Sequence, residues 1–228
     1  MSNPYTESPV NPLPPVVIVL ALAMVLPEIV FQLGTRGLVG GPQAVGWRLD
    51  AIERFAFSGD ILDWMLANGR WPPEQVVRFV SYPFVHASAT HMIFVLVFLV
   101  ALGKMVAETF GALAVVAVFF GSAILGALVY TLVLNDPLPL IGGYPAVYGL
   151  IGAFTFTLWA RLGAAGENQL RAFTLIALLL GIQLVFGFLF GAGNDWVADM
   201  AGFAAGFGLS FVVAPGGWAR IVQRLRRR

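Results

Sequence analysis

Six stretches of this chain are too long and too apolar for the core of a small water-soluble domain: residues 16–33, 86–102, 112–134, 146–160, 172–190 and 197–213. A helix needs about 20 mainly apolar residues to cross ~30 Å of hydrocarbon, and most of these runs approach that length. Inside lipid the backbone must satisfy its own hydrogen bonds, which a helix does within each segment. The composition agrees. The 228 residues are 59% hydrophobic and 11% charged, with a mean hydropathy of +0.85, values of helical membrane proteins. The length allows one bundle, so the expected architecture is an all-α polytopic bundle of six transmembrane helices over 16–213.

The segments outside the runs narrow the reading further. There is no cysteine, which excludes disulfides, thiol chemistry and Cys-based metal sites. Net charge is +1 and no basic face is visible, so nucleic acid is not an expected partner. Residues 1–15 are polar and proline-rich and read as a disordered lead-in without the positive n-region of a signal peptide; the first apolar run is therefore read as a retained span. Residues 34–83 form a large first loop. Five arginines (Arg36, Arg48, Arg54, Arg70, Arg78) and five acids (Asp50, Glu53, Asp60, Asp63, Glu74) are interleaved there with Trp47, Phe55, Phe57, Trp64, Met65 and Trp71. Such a mixture suits a subdomain at the membrane interface. Within it Ser58 can cap a short helix stopped at Asn68-Gly69, and Pro72-Pro73 suits the start of another.

Basic residues set the expected orientation. Lys104, Arg161, Arg171 and the tail arginines Arg220, Arg224, Arg226, Arg227 and Arg228 fall on one side, whereas the two short loops of the other side carry only Asp136 and Asp195. The positive-inside rule then puts both termini in the cytoplasm. The basic tail, 214–228, is read as lying against the lipid bilayer's anionic headgroups. The Ala/Gly/Arg-rich style fits a bacterial inner membrane.

Small residues mark expected helix contacts: Gly202-x-x-x-Gly206 in the sixth run and Ser122-x-x-x-Gly126 in the third, where Ser122 reads as a packing hydroxyl. Asp199 stands three residues before Gly202 and shares its helical face, so it needs a polar partner or water. Glu28 in the first run is a site candidate on the same ground; alternatively it reaches interfacial water near the helix end. The fourth run, at 15 residues, spans only ~22 Å and is expected to begin below the membrane surface, facing a wet cavity.

The segment IGGYPAVYGL, residues 141–150, resembles the nucleophile motif of rhomboid intramembrane serine proteases, Gly-x-Ser-Gly followed by a small residue, an apolar residue, Tyr, Gly or Ala, and Leu. On that resemblance Gly142 matches the first glycine, Tyr144 falls on the nucleophile and Pro145 on the next glycine, while Tyr148 matches the tyrosine that packs against the catalytic histidine. Asp199 falls on the histidine. His86-x4-His91-x3-Val95 follows the family's His-x4-His-x3-Asn, with Val95 in place of an asparagine that helps hold the oxyanion. The resemblance implies a six-helix rhomboid bundle with a large first loop, and departs from the family at Tyr144, Pro145, Asp199 and Val95.

Chemistry sharpens those departures. A phenol of pKa ~10 is a poor nucleophile toward an amide, and an ordinary carboxylate is a weak base beside an imidazole. Pro145 removes a backbone N–H and Val95 a side-chain donor where an oxyanion would need them. No catalytic residue is therefore assigned. His86, His91, Tyr144, Tyr148 and Asp199 are expected to line a binding cavity, with Tyr144 bonded to Asp199 and locking the fourth helix to the sixth. Placed on one helix, the two histidines would point ~140° apart, poor geometry for a shared metal; no metal or cofactor is expected. As a resemblance, this implies an inactive rhomboid that binds transmembrane segments or membrane proteins as an adaptor, quality-control factor or complex subunit. A membrane-anchored ATP-dependent protease is a logical partner. The alternatives are an active or unconventional rhomboid-type endopeptidase, and a lipid- or small-molecule-binding protein.

Overall fold

The computed structural model describes residues 11–134, 137–190 and 193–215, without the side chains of 184, 186–188 and 190. Most of the 1–15 lead-in, Asp136 and the tail from 216 onward, including its arginines, lie outside the described residues. Among the described residues ten α-helices follow one another: α1 Pro15–Thr35, α2 Trp47–Phe55, α3 Gly59–Asn68, α4 Pro73–Val76, α5 Arg78–Ser81, α6 Ala89–Phe110, α7 Ala112–Val133, α8 Tyr144–Ala164, α9 Thr174–Phe190 and α10 Trp196–Val213. Among the described residues the only β contact is an isolated antiparallel bridge between Phe57 and Leu140. The fold is all-α, and the chain is an integral membrane protein.

Among the described residues five helices (α1, α6, α7, α8 and α10) are long and apolar enough to cross a membrane. The sixth expected span, α9, is 17 residues, at the short end of what can cross. Its run was expected from 172, but residues Gln169–Phe173 form a 3-10 turn that takes the start of it. The fourth span departs in the other direction. α8 has 21 residues, or ~32 Å, because the helix continues through Arg161, where the apolar run stops.

α8 is the central helix. Residues 145–153 are buried on every side, which an all-round apolar helix requires. Between helices already in lipid there is little hydrophobic gain, so association depends on close contact. The glycines provide it. A Cβ on Gly202 would run into the Pro145 carbonyl, and one on Gly206 into that of Gly149. A Cβ on Gly149 would collide with Ser122 Oγ, and one on Gly126 would sit 2.8 Å from the Ala198 carbonyl. Both small-residue patterns therefore face the same place, the junction of α7, α8 and α10.

The first loop folds into α2–α5 and is fastened to the bundle. Arg78 donates to the Ala56 carbonyl at 2.8 Å, the buried Tyr82 hydroxyl donates to Ala123 O at 2.8 Å, and the Phe57–Leu140 bridge ties the loop to the strap before α8. The expected local signals hold in part. Gly69 ends α3 in the left-handed conformation, and Pro73 opens α4. Ser58 occupies the α3 cap position, but its side chain makes no capping bond.

Candidate functional site

The strap before α8 places the site. Gly142 has φ +83°, and a side chain there would overlap the His91 ring; its N–H donates to the Tyr82 carbonyl at 3.0 Å. Gly143 has no room for a Cβ either, with Val95 Cγ1 2.8 Å from that position. Two residues without side chains thus let the backbone lie flat on α6, and the first side chain afterwards, Tyr144, lands on His91. The rings stack at 5.0 Å between centroids, 16° from parallel.

His86 meets the other side of this column. Its ring stands edge-on to His91 at 5.1 Å, 88° from parallel. This corrects the expectation that the two histidines point apart. The Ser88 hydroxyl caps α6 by accepting from the His91 N–H at 3.1 Å, so the helix begins at Ala89 and His86 lies in the extended segment before it. The angle between two positions on one helix does not apply across a helix start. Among the described residues no group of three His, Asp or Glu side chains converges as a metal site.

Burial, reinforced by the neighbouring His91, lowers the His86 pKa from 6.5 to about 4. The sign follows from linkage: the unfolded chain takes up a proton near pH 6.5, while the folded protein refuses it until about pH 4. Stability should be unaffected by this group above pH 7 and should fall between pH 6.5 and 4, by up to ~3 kcal/mol. Thermal unfolding across that range, compared with His86→Phe, checks this; the variant should show a shallower acid limb.

Tyr144 and Asp199 are not joined by the hydrogen bond expected of them. Gln183 of α9 stands in that place. Its amide N–H donates to Asp199 Oδ2 at 2.8 Å, and its oxygen accepts from the Tyr148 hydroxyl at 3.1 Å. Asp199 is 2% exposed, and its second oxygen, Oδ1, has no hydrogen-bond partner. The lock between α8 and α10 therefore passes through α9, as Tyr148–Gln183–Asp199. The sequence reading missed Gln183, although a signal existed: it is the one amide in the run 172–190.

These groups border a cavity of about 440 Å³, lined by Phe94 and Phe98 of α6, Tyr144 and Tyr148 of α8, Leu179, Ile182 and Gln183 of α9, and Asp199 of α10. Of the five candidate cavity residues, Tyr144, Tyr148 and Asp199 are on this lining. His86 and His91 do not line it; they stand behind the Tyr144 ring. Val95 is fully buried among apolar neighbours of the core. Ser122, Gly126, Gly202 and Gly206 lie in the packed junction beneath.

A second polar cluster buttresses the strap. Glu28 is 4% exposed, so it does not reach interfacial water from the helix end. Arg48 of α2 grips it with two bonds, 2.8 Å to Oε2 and 2.7 Å to Oε1, and Gln32 adds a third at 2.9 Å. The same guanidinium donates to the His86 carbonyl at 2.7 Å and lies 5.1 Å from the centre of the Phe31 ring. Glu28 thus holds the first loop, and through it the segment carrying His86.

Sequence comparison yields matches to one family. The model of the rhomboid domain matches residues 73–216, well over half the chain. The chain is 30% identical over 138 residues to "Rhomboid-like protease 3" of Toxoplasma gondii, covering 59% of this chain and 51% of that protein. It is 29% identical over 115 residues to "Inactive RHOMBOID-like protein 8" of Arabidopsis thaliana, covering 50% and 32%. It is also 29% identical over 140 residues to "RHOMBOID-like protein 5" of the same plant, covering 60% and 43%. The chain thus spans about half or less of the length of these relatives, and their names include both a protease and an inactive protein.

Proposed function

Because the chain belongs to the rhomboid family, we propose that it is a member without peptidase activity, which binds transmembrane segments or membrane-protein partners at the cavity beside Tyr144. Its role would be that of an adaptor, quality-control factor or complex subunit, with a membrane-anchored ATP-dependent protease as one logical partner. The proposed setting is a bacterial inner membrane with both termini cytoplasmic.

The observation that carries this reading is the arrangement at the nucleophile position. The Tyr144 ring is stacked on His91, and Asp199, which falls on the family's histidine, is engaged by Gln183. A serine-type mechanism needs a nucleophile hydrogen-bonded to a base, and donors around the developing oxyanion. Here the nucleophile position carries a phenol bonded to no base, Pro145 has no N–H, and Val95 is a core aliphatic residue. What remains is a cavity with apolar walls and a few polar groups, the usual composition of a binding site. The name of the Arabidopsis relative is in line with this; that of the Toxoplasma relative favours the second reading, an active or unconventional endopeptidase.

Two measurements separate the readings. Affinity purification of the tagged protein from native membranes should recover a fixed set of membrane proteins, reduced by Tyr144→Ala with Asp199→Ala. In a cleavage assay on a transmembrane substrate the natural protein should be silent, and so should Tyr144→Ser with Asp199→His. Activity should require Pro145→Gly and Val95→Asn in addition, since each oxyanion donor is worth about 10²–10³ in rate. Cleavage by the natural protein that disappears in Tyr144→Phe would overturn the proposal.

A further inference from the structure

The cavity between α6 and α9 holds one acid and no base. Asp199 is 2% exposed, receives a single neutral amide on Oδ2 and has Oδ1 unpartnered. None of the residues lining the cavity is basic. A carboxylate buried in a helix apolar enough to cross a membrane normally pairs with a cation or lines a water-filled path, because an uncompensated charge in low dielectric is costly. One amide hydrogen bond compensates it poorly.

The walls indicate the rest of the ligand. Phe94 is 56% exposed and Ile182 48% exposed, so the two sides of the cavity continue outward into the apolar surfaces of α6 and α9. A space of about 440 Å³ is much too small for a helix ~10–12 Å across. It takes one long side chain, while the body of the helix rests on the outer faces. Among the described residues α9 joins the core through Ile176, with Leu175 and Leu179 packed against it, and its polar tie to α10 is the Gln183 amide. That tie occupies the carboxylate a ligand would seek.

We propose that Asp199 selects transmembrane helices that carry a lysine or arginine within the membrane, taking the basic side chain into the α6–α9 cavity in competition with Gln183. This rests on the reading of the cavity as a site for transmembrane segments and names the class it prefers. The basic side chain gains a carboxylate partner that it lacks in lipid, and Asp199 exchanges a neutral donor for a charged one. A charge-assisted bond is roughly twice as strong as a neutral one.

The test uses the full chain in phosphatidylcholine vesicles and a fluorescent Leu/Ala transmembrane helix with one central lysine, beside the same helix with leucine there. Energy transfer should show the lysine helix associating at least about tenfold more tightly. Asp199→Asn should bring the two helices to the same affinity, and Gln183→Ala should strengthen lysine-helix binding by removing the competing amide. Thermal melting identifies a variant that fails to fold, and the comparison of the two helices on the natural protein then decides alone. Equal binding of both helices overturns the preference and leaves the adaptor reading standing. Binding of neither overturns both. Loss of the lysine preference on adding phosphatidylethanolamine would assign Asp199 to a lipid amine and overturn the proposal.

Discussion

Replacing Arg48 by alanine is expected to destabilise the protein by roughly 3 kcal/mol, the lower part of the range for breaking a buried ion pair. The lower part applies because the Arg48 side chain is 18% exposed while that of Glu28 is 5% exposed. The loss has two sources. Glu28 would keep only the Gln32 amide for its charge, and the His86 carbonyl would lose its donor. Glu28→Gln with Arg48→Met should recover most of the stability, because neither residue then buries an unpaired charge. Equilibrium unfolding of the three proteins in mild detergent measures this. A single variant no worse than the double would show that burying Glu28 without Arg48 carries no penalty. Because Arg48 also braces the segment carrying His86, Arg48→Ala should loosen the stack of His91 on Tyr144.

Gly206→Ala is expected, with Gly202→Ala, to be the most damaging single-methyl change in α10. The added Cβ would run into the Gly149 carbonyl of α8. Overpacking typically costs ~1–3 kcal/mol when neighbouring side chains can yield. Here the obstacle is backbone of the central helix, so the cost should reach or exceed the top of that range. Gly208→Ala is the control, two residues away with nothing within 4 Å of its Cβ position. Alanine is favoured over glycine in a helix by ~1 kcal/mol, so that variant should be neutral or slightly more stable. Thermal unfolding midpoints decide the matter: if the two substitutions behave alike, the close approach of α8 and α10 is not what holds the bundle together.

The residues of the site differ in how far they could be read beforehand. Tyr144, Tyr148 and Asp199 were expected at one cavity because of the family resemblance, and all three are among the residues that line the cavity between α6 and α9. The partner of Asp199 was not. Spacing along α10 gives the direction in which Asp199 points, but which neighbouring side chain arrives there depends on the rotation and tilt of α9. Gln183 arrives, and Tyr144 is held on His91 by the flat glycine strap. The histidines were misjudged because the Ser88 cap sets where α6 starts, and a helical angle drawn through His86 has no meaning outside the helix. Arg48 and Glu28 are 20 residues apart, in a loop and a span that no local pattern connects.

What the sequence by itself determined is therefore the solvent and the parts. Apolar runs of bilayer length require helices, because backbone groups in lipid have no other partner. Glycines at four-residue spacing mark the faces where helices can touch, and the residues at the motif positions limit the chemistry available. The tertiary structure alone decided the pairings: Glu28 with Arg48, His91 with Tyr144, and Asp199 with Gln183. Each joins elements whose relative rotation comes from the packing of the whole bundle. A buried polar group takes whichever partner that packing brings within about 3 Å.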